Sequence, residues 1–240
     1  MKENILETQT GNIYYKTGGA GEPLFFIHGN GEDTSIFKGQ LADFCRDYTI
    51  IAMDTRGHGQ SDLGVDVLTF EQIAQDVIAI MDTLVIEQVT IVGYSDGGNI
   101  GMYLASHYPE RIKGLVMMGA NYEVDALEEE LLTKVKSYQK RLEGREQTPE
   151  NVRKLNVLNL MLHELALTEE DLKRIKVPTL VMAGEFDIVA HSHTEAIAET
   201  IADSELFICP EGGHDFFVHQ PALFLETVTL FLDKLKSDEK

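Results

Sequence analysis

The chain is poor in cysteine, in basic side chains and in long apolar runs, and it has no tryptophan. Its two cysteines, Cys45 and Cys209, stand in apolar or helical stretches without the close spacing of metal ligands. That excludes a disulfide framework and fits reduced thiols in a cytoplasmic protein. Lys and Arg number 20 against 40 Asp and Glu, leaving a formal charge of −20. Such a surface repels phosphate backbones and anionic membranes, so no nucleic-acid or membrane partner is expected. No run approaches the roughly 20 apolar residues of a membrane-spanning helix, and Met1-Lys2-Glu3-Asn4 leads into a polar segment rather than a signal-peptide core. Repeats, low-complexity tracts and linkers are also missing. The 240 residues, 43% of them hydrophobic, therefore predict one domain over 1–240 with a sizeable core, present as a monomer or homodimer.

What the chain does have is centred on Val89-Thr90-Ile91-Val92-Gly93-Tyr94-Ser95-Asp96-Gly97-Gly98-Asn99. A β-branched apolar run that stops at Gly-x-Ser-x-Gly-Gly and continues as a helix is the form of a nucleophile elbow, with Ser95 at the tip and glycines where only small neighbours fit. Gly97, Gly101 and Ala105 then share one helix face, which lets helix and strand backbones approach closely.

Around this stretch strands and helices alternate. Residues 4–9 and 12–17 predict a hairpin through Thr10-Gly11. Pro23–Ile27 is an apolar run ending in His28-Gly29-Asn30-Gly31, a helix is expected over about 35–46, and Tyr48–Met53 is the next strand. Thr69 and Gln72 form a capping box ahead of an apolar stripe through Phe70, Ile73, Ala74, Val77, Ile80, Met81 and Leu84. Past the elbow helix, Gly114–Gly119 is a buried strand. Residues 121 to about 165 carry two helical patterns, one of them through Val124, Leu127, Leu131, Val135, Tyr138 and Leu142, and Thr168–Asp171 opens a short helix. The region 121–168 is expected to form a cap above the strand ends. The strands Pro178–Ala183 and Glu205–Cys209 follow, ending near Asp187 and His214. The alternation predicts an α/β fold with a mostly parallel sheet of about eight strands, helices on both faces, and ligands at the carboxyl ends of the strands.

Serine, aspartate and histidine thus come in that order, each at a strand end. A neutral serine needs a base within hydrogen-bond reach and a carboxylate to orient that base, which this set supplies. The pattern resembles the α/β-hydrolase family over essentially the whole chain. The resemblance implies Ser95 as nucleophile, His214 as base and Asp187 as its orienting acid. It also implies an oxyanion hole from the backbone N–H groups of Asn30 and Asp96, and a loop signature at Asp54, Arg56, Gly57, Gly59 and Ser61. Dehalogenase and epoxide-hydrolase branches place aspartate at the elbow tip, and the former also use tryptophan, so Ser95 and the absence of tryptophan exclude them. What remains is acyl chemistry on a small ester, aminoacyl ester, thioester, lactone or amide without a cofactor. Acyl transfer, carbon–carbon hydrolysis and a slow ligand receptor are alternatives, and activity is expected to fall on acidification as the base protonates.

The Ser-Asp-Gly-Gly elbow is also similar to that of biphenyl-hydrolase-like amino-acid ester hydrolases, which implies that Asp96 meets a substrate ammonium; simple capping of its helix is the competing account. His28 and Tyr94 are further candidates for the pocket lining, as is His58, and Glu185 or Asp215 could replace Asp187. His191-x-His193 lacks a third ligand at metal spacing, so no metal is expected. His107, His163 and His219 read as ordinary helix residues, and Glu128-Glu129-Glu130 as a solvated face.

Overall fold

The computed structural model describes residues 1–165 and 167–237. Eight strands form one sheet: β1 (Lys2–Thr8), β2 (Gly11–Gly18), β3 (Pro23–Ile27), β4 (Thr49–Met53), β5 (Val89–Tyr94), β6 (Ile112–Met118), β7 (Thr179–Phe186) and β8 (Ser204–Gly213). Their order is β1-β2-β4-β3-β5-β6-β7-β8. β1 and β2 pair antiparallel as the expected hairpin, β2 pairs antiparallel with β4, and every other pairing is parallel.

Alternation along the strands explains why both faces are covered. Phe25, Ile27, Ile51, Met53 and Ile91 enter one apolar cluster, while their neighbours Leu24, Phe26, Ile50, Ala52 and Val92 enter the other. The first face is covered by α2 (Phe70–Thr83) and α3 (Asp96–His107), which contribute Ile73, Val77, Ile80, Ile100 and Leu104. The second is covered by α1 (Lys38–Phe44) and the last helix in the chain, which contribute Phe44, Phe224, Val228 and Phe231. The capping box at Thr69 and Gln72 forms as expected.

The helix expected over 35–46 divides. Asp33 caps a 3₁₀ turn over Thr34–Phe37 by accepting from the Ser35 N–H, and α1 begins only at Lys38.

Between β6 and β7 lie α4 (Glu129–Glu143), α5 (Pro149–His163) and the short α6 (Glu169–Arg174). The stripe predicted from Val124 is shorter than expected. Val124–Ala126 is a 3₁₀ turn, Leu127 pairs with Val189 in an isolated bridge, and the buried residues of α4 are Leu132 and Leu142. Glu129 and Glu130 occupy the first turn of α4, where carboxylates complement the helix dipole. The chain closes with α7 (His191–Thr200), α8 (Phe216–His219) and α9 (Pro221–Ser237). No helix among the described residues is long and apolar enough to cross a membrane.

Candidate active site

β5 delivers Ser95 in a backbone conformation that non-glycine residues rarely adopt, φ 53° and ψ −120°. Such a residue typically costs about 1–3 kcal/mol and persists only where its surroundings hold it. Here the Ser95 N–H donates to the Met118 carbonyl at 2.8 Å, and the Ser95 carbonyl accepts from Gly98 at 2.8 Å and Asn99 at 3.1 Å. Glycine is required beside it, because a Cβ on Gly97 would collide with the Ile27 carbonyl and one on Gly93 with the Gly97 carbonyl.

β8 and β7 bring the other two residues to the same end of the sheet. His214 Nε2 lies 3.1 Å from Ser95 Oγ, and Nδ1 lies 2.7 Å from Asp187 Oδ1. A carboxylate can only accept, so Nδ1 carries the proton and Nε2 is left to accept from the serine hydroxyl. The Asp187 side chain is wholly buried and also accepts from the N–H groups of Val189 at 3.0 Å and Gly184 at 3.3 Å. Burial works to raise its pKa, but the hydrogen bond and charge of His214, with these backbone donors, hold it below the ordinary carboxylate value. Its neighbours are committed elsewhere: Glu185 accepts from the Glu211 N–H, and Asp215 pairs with His219.

One contributor has no counterpart in the sequence reading. Gly119, just past β6, has φ +59°, and a Cβ there would lie 2.6 Å from both Cε1 and Nδ1 of His214. Gly119→Ala is therefore expected to displace the imidazole and lower kcat by about 10²-fold or more, with the melting temperature changing far less. Steady-state kinetics beside a thermal melt checks this; unchanged kcat would show that the ring moves aside freely.

The loop after β3 packs on Ser95, since a Cβ on Gly29 would sit 3.1 Å from Ser95 Cβ. Neither the Asn30 nor the Asp96 backbone N–H has an acceptor among the described residues. Asp96 is only 4% exposed, with Oδ2 accepting from Asn30 Nδ2 at 2.8 Å and Oδ1 from Asn99 Nδ2 at 3.3 Å. Burial pushes its pKa up to about 6.

The candidate pocket residues fare differently. His28 does not line the cleft: it is buried, its Nε2 accepts from the Thr55 N–H at 3.0 Å, and its Nδ1 lies 2.8 Å from the Gly29 carbonyl, so it braces the two loops from beneath. Tyr94 is buried behind the site, its ring centroid 5.0 Å from that of His214 and 4.8 Å from that of Phe217. The histidine that does reach the cleft is His58. This cleft, about 240 Å³, lies between the loops after β3 and β4 and the helices α4 and α5. It is lined by Asn30, Glu32 and His58 below and by Tyr138, Arg153 and Val157 above, and it meets the site at Asn30. Of the loop signature, Gly57 and Gly59 line it, while Asp54 accepts from the Thr34 and Gln60 N–H groups and Arg56 is paired with Asp76.

His191 and His193 do not converge. The first lies 3.1 Å from the Gly184 carbonyl, and the second accepts from the Tyr122 N–H. No cluster of potential metal ligands occurs among the described residues.

The fold agrees with what comparison with known proteins finds. Residues 22–173 match the family model described as alpha/beta hydrolase fold, and the chain belongs to that family of enzymes. It is similar to 3-oxoadipate enol-lactonase 2 of Acinetobacter baylyi, with 31% identity over 95% of each chain. Serine hydrolase BPHL of Mus musculus is 27% identical, over 92% of this chain and 83% of that one. Among solved structures, Est816, described as an N-acyl homoserine lactone degrading enzyme, superposes with a TM-score of 0.78 at 25% identity, covering 95% of this chain and all of that one.

Proposed function

We propose that the protein hydrolyses a small carboxylic ester or lactone through an acyl-enzyme on Ser95. The continuous arrangement of Ser95 Oγ, His214 and Asp187, at 3.1 and 2.7 Å, carries the proposal. His214 takes the serine proton as Oγ attacks the carbonyl carbon, then gives it to the departing alkoxide. Water attacks the acyl-enzyme in the second half, with His214 again as base. The N–H groups of Asn30 and Asp96 are free to meet the oxyanion.

The cleft of about 240 Å³ reaches the site at Asn30, one of the two proposed oxyanion donors, and offers room there for a small acyl group. Because Asp96 is only 4% exposed and is turned toward the Asn30 and Asn99 amides, a substrate ammonium has little access to it, which favours a neutral acyl group over an aminoacyl one. Two of the three relatives described above carry lactones in their names, and a lactone keeps acyl and leaving group in one compact ring.

A panel of p-nitrophenyl esters from acetate to decanoate, with γ- and δ-lactones, tests this. The expected result is kcat/KM highest for the short esters and small lactones, and lost in Ser95→Ala. A steady rise with chain length would overturn the small-substrate assignment, and transfer to added alcohols in preference to water would replace hydrolysis by acyl transfer.

A further inference from the structure

A chain of amides, from half-buried Asn30 to buried Asn99 and Asn121, passes beside Ser95. Asn30 Nδ2 has two hydrogens, and the structure uses both: one is donated to Asp96 Oδ2 at 2.8 Å and the other to the Val157 carbonyl of α5 at 2.7 Å. On the other side of Asp96, Oδ1 accepts from Asn99 Nδ2, whose own Oδ1 accepts from the Asn121 N–H at 2.8 Å. Asn121 Nδ2 then donates to the Glu123 carbonyl at 2.9 Å. Asn99 is fully buried and Asn121 nearly so. One carboxylate therefore joins the loop after β3 to the start of α3. Through its two amide partners it also joins both to α5 and to the segment that leads from β6 into α4.

We infer that Asp96 is a positioning residue: its carboxylate fixes the Asn30 loop against the elbow, so that the two oxyanion donors and the helices above them are set as one unit. The inference rests on the proposed Ser95 chemistry. Its geometric basis is that the side chain of one donor residue is bonded to the side chain of the other, and that the accepting side chain, Asp96, is only 4% exposed. An oxyanion hole works because its donors need no reorganisation when charge develops, and a loose Asn30 loop loses that advantage only in the transition state. The consequence is a defect in kcat with little change in KM.

A double-mutant cycle of Asn30→Ala and Asp96→Asn on p-nitrophenyl acetate tests this, with Ser95→Ala as reference and a thermal melt of every variant. Each single variant is expected to lose roughly 10- to 100-fold in kcat with KM within about threefold, and the double variant to be no worse than the weaker single. Additive losses, or losses confined to KM, overturn the positioning role while leaving Ser95 as nucleophile. Full turnover in Ser95→Ala overturns the function itself. If Asp96→Asn does not fold, Asn30→Ala decides alone, since its side chain is half-buried and its backbone N–H is retained; an unchanged kcat then overturns the inference.

Discussion

Asp187→Asn is expected to leave a folded protein whose kcat is reduced on the order of 10⁴-fold. The residue accepts the Nδ1 proton of His214 at 2.7 Å, and that bond leaves Nε2 bare toward Ser95 Oγ at 3.1 Å. An amide of the same shape can turn its NH₂ toward Nδ1, which favours the opposite tautomer and puts a proton where the serine proton must go. It also lacks the charge that stabilises the imidazolium formed during attack. Glu185 and Asp215 are hydrogen-bonded elsewhere, to the Glu211 N–H and to His219. The check is kcat for the wild type and variant on one short ester, with circular dichroism to confirm the fold. A loss under tenfold would show that His214 does not depend on Asp187.

The second large effect concerns acid stability. His28 and His58 are buried, and burial lowers their pKa values from 6.5 to about 4 and about 3; the nearby His28 charge adds to the effect on His58. Between pH 6.5 and these values the unfolded chain binds protons that the native state refuses. Their contribution to stability is therefore complete above about pH 6.5 and is lost as pH falls toward 3. Asp96 works the other way: its pKa is raised by burial from 3.8 to about 6, so the native state takes up a proton first and gains stability as pH falls through that interval. The histidines outweigh it, and at 1.36 kcal/mol per pH unit these three groups together lose on the order of 4 kcal/mol between pH 6.5 and 4. That is a large part of a typical domain's ~5–15 kcal/mol. Urea titrations from pH 7.5 to 4 are expected to show this decline, and His58→Asn, which can keep the bond from the Nδ1 position to the Arg56 carbonyl, is expected to flatten it. Equal slopes in the two proteins would contradict the assignment.

Much of this architecture was legible because local and global signals agree. The runs at Pro23–Ile27 and Val89–Val92, in which Thr90 is the one polar side chain, have no polar face to offer solvent and read as central strands, and Thr69 with Gln72 reads as a helix cap. Ser95, Asp187 and His214 were visible because each stands where a strand runs out, and the structure brings the three together. Gly119 also ends a strand, but its function lies in the side chain it omits, and only the position of His214 reveals it. His28 and His58 look alike as loop histidines, and which one faces the cleft depends on how two loops nest. The amides of Asn30, Asn99 and Asn121 meet across elements distant in sequence, so their pairing carries no local pattern.

The most direct test of Ser95 as nucleophile is intact-mass analysis after reaction with a fluorophosphonate. The wild type is expected to gain a single phosphonyl adduct with loss of esterase activity, and Ser95→Ala to gain none. A folded wild type that stays unlabelled, or an adduct that persists in Ser95→Ala, would contradict the account.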